Sequence, residues 1–153
     1  MLRLSKLTDY AVVVLVQLSR GDACQTAPGI ARSTGVPEPT VAKVLKALAA
    51  ARIVTSQRGA RGGYSLSLPA DAIDVASVVT AMEGPIALVA CVEGSGKDCE
   101  AHHLCPVQGR WDVVNTAIRT ALSAISLTDL DRGPASLFRA APSAALQPAS
   151  LAE

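Results

Sequence analysis

Two helix patterns separated by one short break, between residues 26 and 50, constrain the fold more than any other part of this sequence. Thr26 is a residue type that caps helix N-termini, and a Gly-Val-Pro run at residues 35–37 ends the short helix that follows it. In the second helix the apolar residues recur at i, i+3, i+4 and i+7, at Val41, Val44, Leu45 and Leu48. A short helix, a turn containing glycine and an amphipathic helix form the helix-turn-helix pattern.

The next segment has the pattern of a β-hairpin. Residues 53–57 and the alternating residues 64–68 have the composition of strands, and the turn between them is basic and rich in glycine. A hairpin directly after the second helix is a wing. The sequence therefore predicts a mainly α fold with a small β-hairpin wing, namely a winged helix-turn-helix domain over residues 1–84.

Further helices are predicted before the helix-turn-helix and after the wing. The run from Thr8 to Leu18 is apolar on every side, so its periodicity fits a buried strand as well as a helix. Its length and its Thr8-Asp9 start favour a helix. Asp74 is placed to cap another helix, whose apolar stripe ends at Gly84.

A long helix is predicted over residues 106–132, and we expect it to be a dimerisation helix. Its apolar residues are spaced by three, four, four and three, as in the edge of a coiled coil: Trp111, Val114, Ile118, Leu122 and Ile125. Packing of these residues against their own domain is the alternative. Residues 133–153, rich in Ala, Pro and Ser, lack sustained periodicity, and we expect them to be disordered.

The net charge of +1 hides an uneven distribution. Residues 1–65 hold nine Lys or Arg against three acidic residues, whereas the remainder holds five against ten. A basic half beside an acidic half is typical of a phosphate-binding module joined to another element, although chance clustering of solvated charge gives the same pattern. Because no apolar run approaches the roughly 20 residues that cross a bilayer, we expect a cytoplasmic protein without a membrane partner.

The second helix of the helix-turn-helix carries small and basic residues opposite its apolar stripe. Thr40 and Lys43 are placed to reach base edges or phosphates in the major groove of double-stranded DNA, with Lys46 at the flank. Pro39 lies in the same first turn and would pack against the DNA without hydrogen bonding.

The wing and the first helix of the motif add to this predicted DNA surface. Arg58 and Arg61 suit a narrow minor groove, where the negative potential is enhanced, and Thr26 with its helix N-terminus suits a phosphate. Taken alone, each of these residues is explained equally well as a solvated surface residue without a role in DNA binding. The combination of motif, basic wing and charge asymmetry predicts nucleic-acid binding.

Three of the four cysteines lie close together, at Cys91, Cys99 and Cys105, in a predicted loop over residues 85–105. In a reducing compartment such a group is more typical of a metal or redox site than of disulfides. Thiolates suit iron-sulfur clusters, zinc or copper(I), and three of them leave a fourth position open. Zinc sites usually contain a CxxC pair, which is missing here, so zinc is the less favoured metal. The spacing of the cysteines alone does not determine which metal binds.

The remaining candidates near this loop are less specific. His102 and His103 are either ligands or exposed loop histidines, and Cys24 stands alone and is most simply a structural or surface residue. Thiol catalysis would need a positioned third group, which the sequence does not show. We therefore expect neither an enzyme nor a small-molecule substrate.

Taken together, these motifs resemble the IscR, NsrR and SufR group of winged-helix regulators, also called BadM-type regulators. The resemblance runs from Met1 to about Leu130 and is carried by the opening residues 4–11, the helix at 38–50, the wing at 58–64 and the Trp111 helix. The opening and the passage at residues 83–86 are most similar to the proteobacterial regulator of the SUF iron-sulfur assembly operon.

The resemblance implies a homodimer on a roughly palindromic operator, with an iron-sulfur cluster of two or four irons on Cys91, Cys99 and Cys105. Regulators like IscR have a histidine three residues after the last cysteine, where this chain has Gln108, which is a poor iron ligand. Relatives such as NsrR use an aspartate of the partner subunit, and Asp9 occupies the matching place. We therefore expect Asp9, rather than His102 or His103, to be the fourth ligand.

These expectations define three functions to be separated. The first is a repressor of iron-sulfur assembly genes that senses cluster status, and the second is a nitric oxide or redox-sensing repressor of other genes. The third is a zinc-stabilised interaction module that does not bind DNA.

Overall fold

The computed structural model of the protein describes residues 3–21, 24–92, 94–96 and 105–132. The predicted tail at 133–153, the middle cysteine Cys99, and both loop histidines, His102 and His103, lie outside the described residues. The described elements are, in chain order, α1 (Lys6–Ser19), α2 (Ala27–Thr34), α3 (Glu38–Ala50), β1 (Val54–Gln57), β2 (Gly63–Leu66), a 3-10 turn (Ala70–Ala72), α4 (Val75–Glu83), α5 (Trp111–Ser123) and α6 (Leu127–Arg132). The predicted mainly α fold with a hairpin wing is confirmed.

The apolar run from Thr8 to Leu18 is helical and lies within α1. This helix begins two residues before the predicted Thr8-Asp9 start. The earlier start follows from Ser5, whose Oγ accepts the backbone N–H of Thr8 at 3.2 Å and so caps the helix. Ala11, Val14 and Leu15 of α1 are fully buried. The run is apolar on every side because α1 packs against α2, α3, α4, α6 and β2.

The helix-turn-helix forms as its pattern predicts. The Thr26 hydroxyl caps α2 by accepting the Gly29 N–H, and Gly35 ends the helix in the left-handed conformation, with φ of 72°. The predicted stripe of α3 is fully buried at all four positions, Val41, Val44, Leu45 and Leu48. This stripe packs against α1, α2 and α4, so the opposite side of α3 is left to solvent.

The wing is an antiparallel hairpin in which Val54 pairs with Leu66 and Gln57 with Gly63. Its base is fixed to the segment before α2, because Gln25 and Tyr64 exchange two backbone hydrogen bonds of 2.9 and 2.8 Å. A Cβ at position 63 would lie 2.7 Å from the Gln25 carbonyl oxygen. Glycine at 63 is therefore required by this close approach of two backbones.

The C-terminal part differs from the single helix predicted over 106–132. Residues 106–110 form turns, α5 ends at Ser123, and α6 is a separate helix. The break has a local cause, since the Ser126 hydroxyl accepts the Asp129 N–H while the Asp129 carboxylate accepts the Ser126 N–H and hydroxyl. This reciprocal cap starts a new helix.

Helix α6 returns to the winged domain and is fixed there by polar contacts. Val75 N–H donates to the Ile125 carbonyl and Leu127 N–H donates to the Ile73 carbonyl, at 2.9 and 2.8 Å. The Arg20 guanidinium donates twice to one oxygen of Asp131. None of the helices in the described ranges is both long enough and apolar enough to span a membrane.

Replacing Gly63 with alanine is expected to destabilise the protein by about 1–3 kcal/mol, because the added methyl group overlaps the Gln25 backbone. The Tyr64 and Gln25 amides should then exchange with solvent faster. Gly59→Ala adds the same group at the hairpin tip, where nothing lies within 4 Å of the new Cβ; its φ of 115° strains an alanine, so this control carries backbone strain without the overlap. Amide exchange measured by NMR on both variants checks this, and equal exchange at Tyr64 in the two would contradict it.

Candidate nucleic-acid interface and cysteine loop

The solvent side of α3 carries the residues predicted to contact DNA. Lys43 and Lys46 are exposed, Thr40 is half-buried, and Pro39 is exposed in the first turn of the helix. The N-terminal end of α3, where these groups begin, follows directly from the turn at Gly35. The helix therefore offers two cations and a hydroxyl on the side away from the core.

The wing and α2 hold the other predicted contacts. Arg58 and Arg61 are exposed in the turn between β1 and β2. Thr26 is exposed at the N-cap of α2, where its oxygen accepts the Gly29 N–H and its own hydroxyl proton is available to an anion. Because α3 packs against α2 and leads into β1, all three elements belong to one packed unit.

The basic groups of this surface are not neutralised within the described part of the chain. The ion pair found there joins Arg20 to Asp131, neither of which belongs to α3 or the wing. Within the described residues, the four cations on α3 and the wing form no ion pair and are exposed to an external anion.

The cysteine loop is described at both of its ends. Cys91 and Cys105 are free and half-buried, with Cys91 just before the buried Val92. No group of three metal-ligating side chains forms among residues 3–21, 24–92, 94–96 and 105–132. Asp9 is exposed in the first turn of α1, and Gln108 is exposed in the turn before α5.

Asn115 is a site residue that the sequence analysis missed. This side chain is 3% exposed in the middle of α5, and its amide group donates to the Ile86 carbonyl and accepts the Leu88 N–H, at 3.0 and 3.1 Å. It thus satisfies two backbone groups of the segment that leads to Cys91. A signal was present, since Asn115 replaces an apolar residue in the stripe of Trp111, Ile118 and Leu122.

Glu83, the last residue of α4, was also missed. Its Oε1 accepts the Ser5 N–H at 2.7 Å and the hydroxyl proton of Thr8, which is 1% exposed. The Thr8 hydroxyl first, and then the Ser5 amide, hold the pKa of the Glu83 carboxyl below its ordinary value of 4.5. The carboxylate also lies at the positive end of the α1 dipole.

A mostly apolar groove of about 740 Å³ lies beside these contacts. It is lined by the segment before α1, the end of α4, residues 84–90 and the α5 side chains Ile118 and Leu122. Two of the residues predicted to form a dimer contact therefore face their own domain. Trp111 and Val114, by contrast, are 41% and 43% exposed.

This fold, with a basic α3 and a hairpin wing, defines a winged-helix DNA-binding protein. Residues 4–132 match the model of one family, Rrf2, described as an iron-dependent transcriptional regulator. The chain is 36% identical over 124 residues to Protein aau3 of Rhizobium meliloti, covering 80% of this chain and 76% of that protein.

Two solved structures share the fold over most of their length. One is CymR, the global cysteine regulator of B. subtilis, with a TM-score of 0.66 and 28% identity over 86% of this chain and 98% of that one. The other is T. potens IscR, with a TM-score of 0.62 and 26% identity over 86% and 87% of the two chains.

The chain belongs to the Rrf2 family of iron-dependent transcriptional regulators. It is accordingly a DNA-binding regulator, as the helix-turn-helix and wing patterns predicted.

Replacing Asn115 with alanine is expected to lower the free energy of unfolding by about 1–3 kcal/mol, because two buried backbone groups lose their partner. The Cys91 thiol should become more reactive as residues 86–88 loosen. Urea unfolding and the rate of thiol labelling measure the two effects. Thr116→Ala, on the exposed side of the same helix, is the matched control; equal labelling of Cys91 in both variants would contradict this role.

Proposed function

We propose that this protein is a homodimeric repressor of iron-sulfur assembly genes, which senses cluster status through an iron-sulfur cluster on Cys91, Cys99 and Cys105. The observation that carries the proposal is the attachment of the cysteine loop by hydrogen bonds, through Glu83 to α1, which packs against α3, and through Asn115 to α5. The family supports DNA binding and iron dependence, and the T. potens IscR structure is one of its neighbours.

DNA recognition is assigned to α3 and the wing. Thr40 and Lys43 would contact the major groove, with Lys46 and Pro39 beside them, and Arg58 and Arg61 would enter the minor groove. Thr26 would hold a phosphate at the N-terminus of α2. The exposure and unneutralised charge of the cations support this assignment.

Arg58→Ala and Arg61→Ala are each expected to weaken binding to a duplex from the region upstream of the protein's own gene, by about 1–3 kcal/mol. Lys43→Ala should weaken it similarly and, if Lys43 meets a phosphate, reduce the slope of log K against log salt by about 1. Fluorescence anisotropy at several salt concentrations measures both. Arg119→Ala removes an exposed cation of α5 and is the control; affinities equal to this control would rule out the assignment.

The cysteine thiols are chemically suited to bind an iron-sulfur cluster. Cys91 and Cys105 are free, half-buried thiols, which as thiolates are the preferred ligands of iron-sulfur clusters, and Cys99 would complete the set. Such a cluster, when bound, supplies redox and ligand-exchange chemistry. Asp9 of the partner subunit would be the fourth ligand; its exposure on α1 leaves it accessible to another chain. Asp9 lies on α1, which packs against α3.

Anaerobically purified protein is expected to contain iron and sulfide and to absorb visible light. Cys91→Ser, Cys99→Ser and Cys105→Ser should each lose most of the iron, whereas Cys24→Ser, outside the loop, should keep it. Asp9→Ala should retain iron with an altered absorption spectrum. A colourless wild-type protein that holds one zinc per chain would exclude the cluster and favour the zinc-stabilised module.

Dimerisation is assigned to the face of α5 that points away from its own domain. Asn115, Ile118 and Leu122 pack inward, whereas Val113 is 75% exposed and Val114 is 43% exposed. The exposed residues Ala117 and Ala121 extend this apolar face by further helical turns. A continuous exposed apolar strip of this kind is typical of a protein interface.

Ala117→Glu is expected to convert a dimer into a monomer at micromolar concentration, because it introduces a charge into the apolar face. Sedimentation velocity measures the change in mass. Thr116→Glu places the same charge outside the face and should leave the dimer intact. A wild-type protein that sediments as a monomer would contradict the assignment.

A further inference from the structure

Helix α1 is held at its N-terminal end by the element that leads into the cysteine loop. Glu83 is followed at once by Gly84 and the loop segment, and its carboxylate accepts hydrogen bonds from the Ser5 amide and the Thr8 hydroxyl. A displacement of residues 84–91 therefore acts on the first turn of α1 through one carboxylate oxygen.

The same helix is joined near its C-terminal end to the base of the wing through Gln25. The Gln17 side-chain amide donates to the Gln25 side-chain oxygen at 3.1 Å. The Gln25 side-chain amide donates in turn to the Gln17 backbone carbonyl at 2.9 Å. Gln25 in turn exchanges two backbone hydrogen bonds with Tyr64 of β2. The base of the wing is thus joined to α1 by a chain of named hydrogen bonds.

Between these two ends α1 is a single helix with a buried aliphatic face. Thr8 and Gln17 are nine residues apart, which corresponds to about 13 Å along the axis. Ala11, Val14 and Leu15 are fully buried on that length, so bending the helix would open the core. A shift at Thr8 therefore moves Gln17 with it.

We propose that α1 is a relay between the cysteine loop and the wing, with Glu83 as the positioning residue at one end and Gln25 at the other. The relay predicts that the loop controls the placement of Arg58 and Arg61 as well as that of α3. Its regulatory purpose rests on the proposed function, but the mechanical connection is a property of the fold.

The test is amide hydrogen exchange of the full-length protein, free of DNA, comparing wild type with Glu83→Gln and Thr8→Val. Both variants weaken the tie to α1 while conserving side-chain size. Exchange is expected to rise about 5-fold at residues 5–9, the factor that corresponds to one lost hydrogen bond of about 1 kcal/mol, and to rise measurably at the Tyr64 amide in the wing. Thr8→Ser keeps the hydroxyl that Thr8→Val removes, and it should therefore show wild-type exchange at Tyr64.

A double-mutant cycle separates a relay from general loosening. If α1 carries the displacement, Gln25→Met alone raises exchange at Tyr64 and Glu83→Gln adds no further increase to it. Arg20→Met is the matched control, because it breaks the ion pair to Asp131 of α6 at the end of α1 and leaves the hydrogen bonds of Glu83, Gln17 and Gln25 in place. Unchanged Tyr64 exchange in Glu83→Gln, or fully additive increases in the double variant, would overturn the relay.

Because these measurements use no operator and no metal, their failure is distinct from failure of the proposed function. A protein without a cluster can still show the relay, and a cluster-binding repressor can lack it. Residue 83 is exposed, so Glu83→Gln leaves the core intact. Exchange in this variant therefore tests the relay even if the buried Thr8→Val variant does not fold.

Discussion

The burial of α1 is the constraint on which the rest of the structure depends. The helix packs against α2, α3, α4, α6 and β2, and complete burial of a leucine such as Leu15 contributes roughly 1.5–3 kcal/mol. A single hydrogen bond contributes about 1 kcal/mol. Apolar packing of α1 therefore holds the fold together, and the polar ties at its ends determine where the loop and the wing lie relative to it.

In the cysteine loop, the described segment at residues 84–92 is positioned in part by a side chain from another element. Asn115 of α5 holds the backbone at residues 86–88, and Glu83 joins the beginning of the loop to the first turn of α1. The loop is thus connected to the helix assigned to dimerisation and to the helix that supports α3. This arrangement connects the loop both to the predicted DNA surface and to the helix proposed as the subunit interface.

The sequence predicted those parts of the fold whose signals are local. The stripe of α3, the caps at Thr26 and Asp74 and the alternating strands of the wing all act within a few residues, and each formed as predicted. Glu83 and Asn115 were missed because their partners lie 78 and 27 to 29 residues away. The cap at Ser126 and Asp129 is local, but the apolar spacing that continues to Ile125 outweighed it and predicted one uninterrupted helix. The proposal of an iron-sulfur cluster rests on family resemblance, because the spacing of the cysteines does not choose the metal.

In the proposed function, the state of the cysteine loop changes the affinity of this protein for its operator. Titration of a labelled duplex from the protein's own upstream region, with the iron-containing protein and with the same preparation after iron removal, tests it most directly. The account predicts dissociation constants that differ by about 10-fold or more, equivalent to at least 1.4 kcal/mol of coupling. Equal and tight binding by the two forms, with iron loss verified, would contradict it.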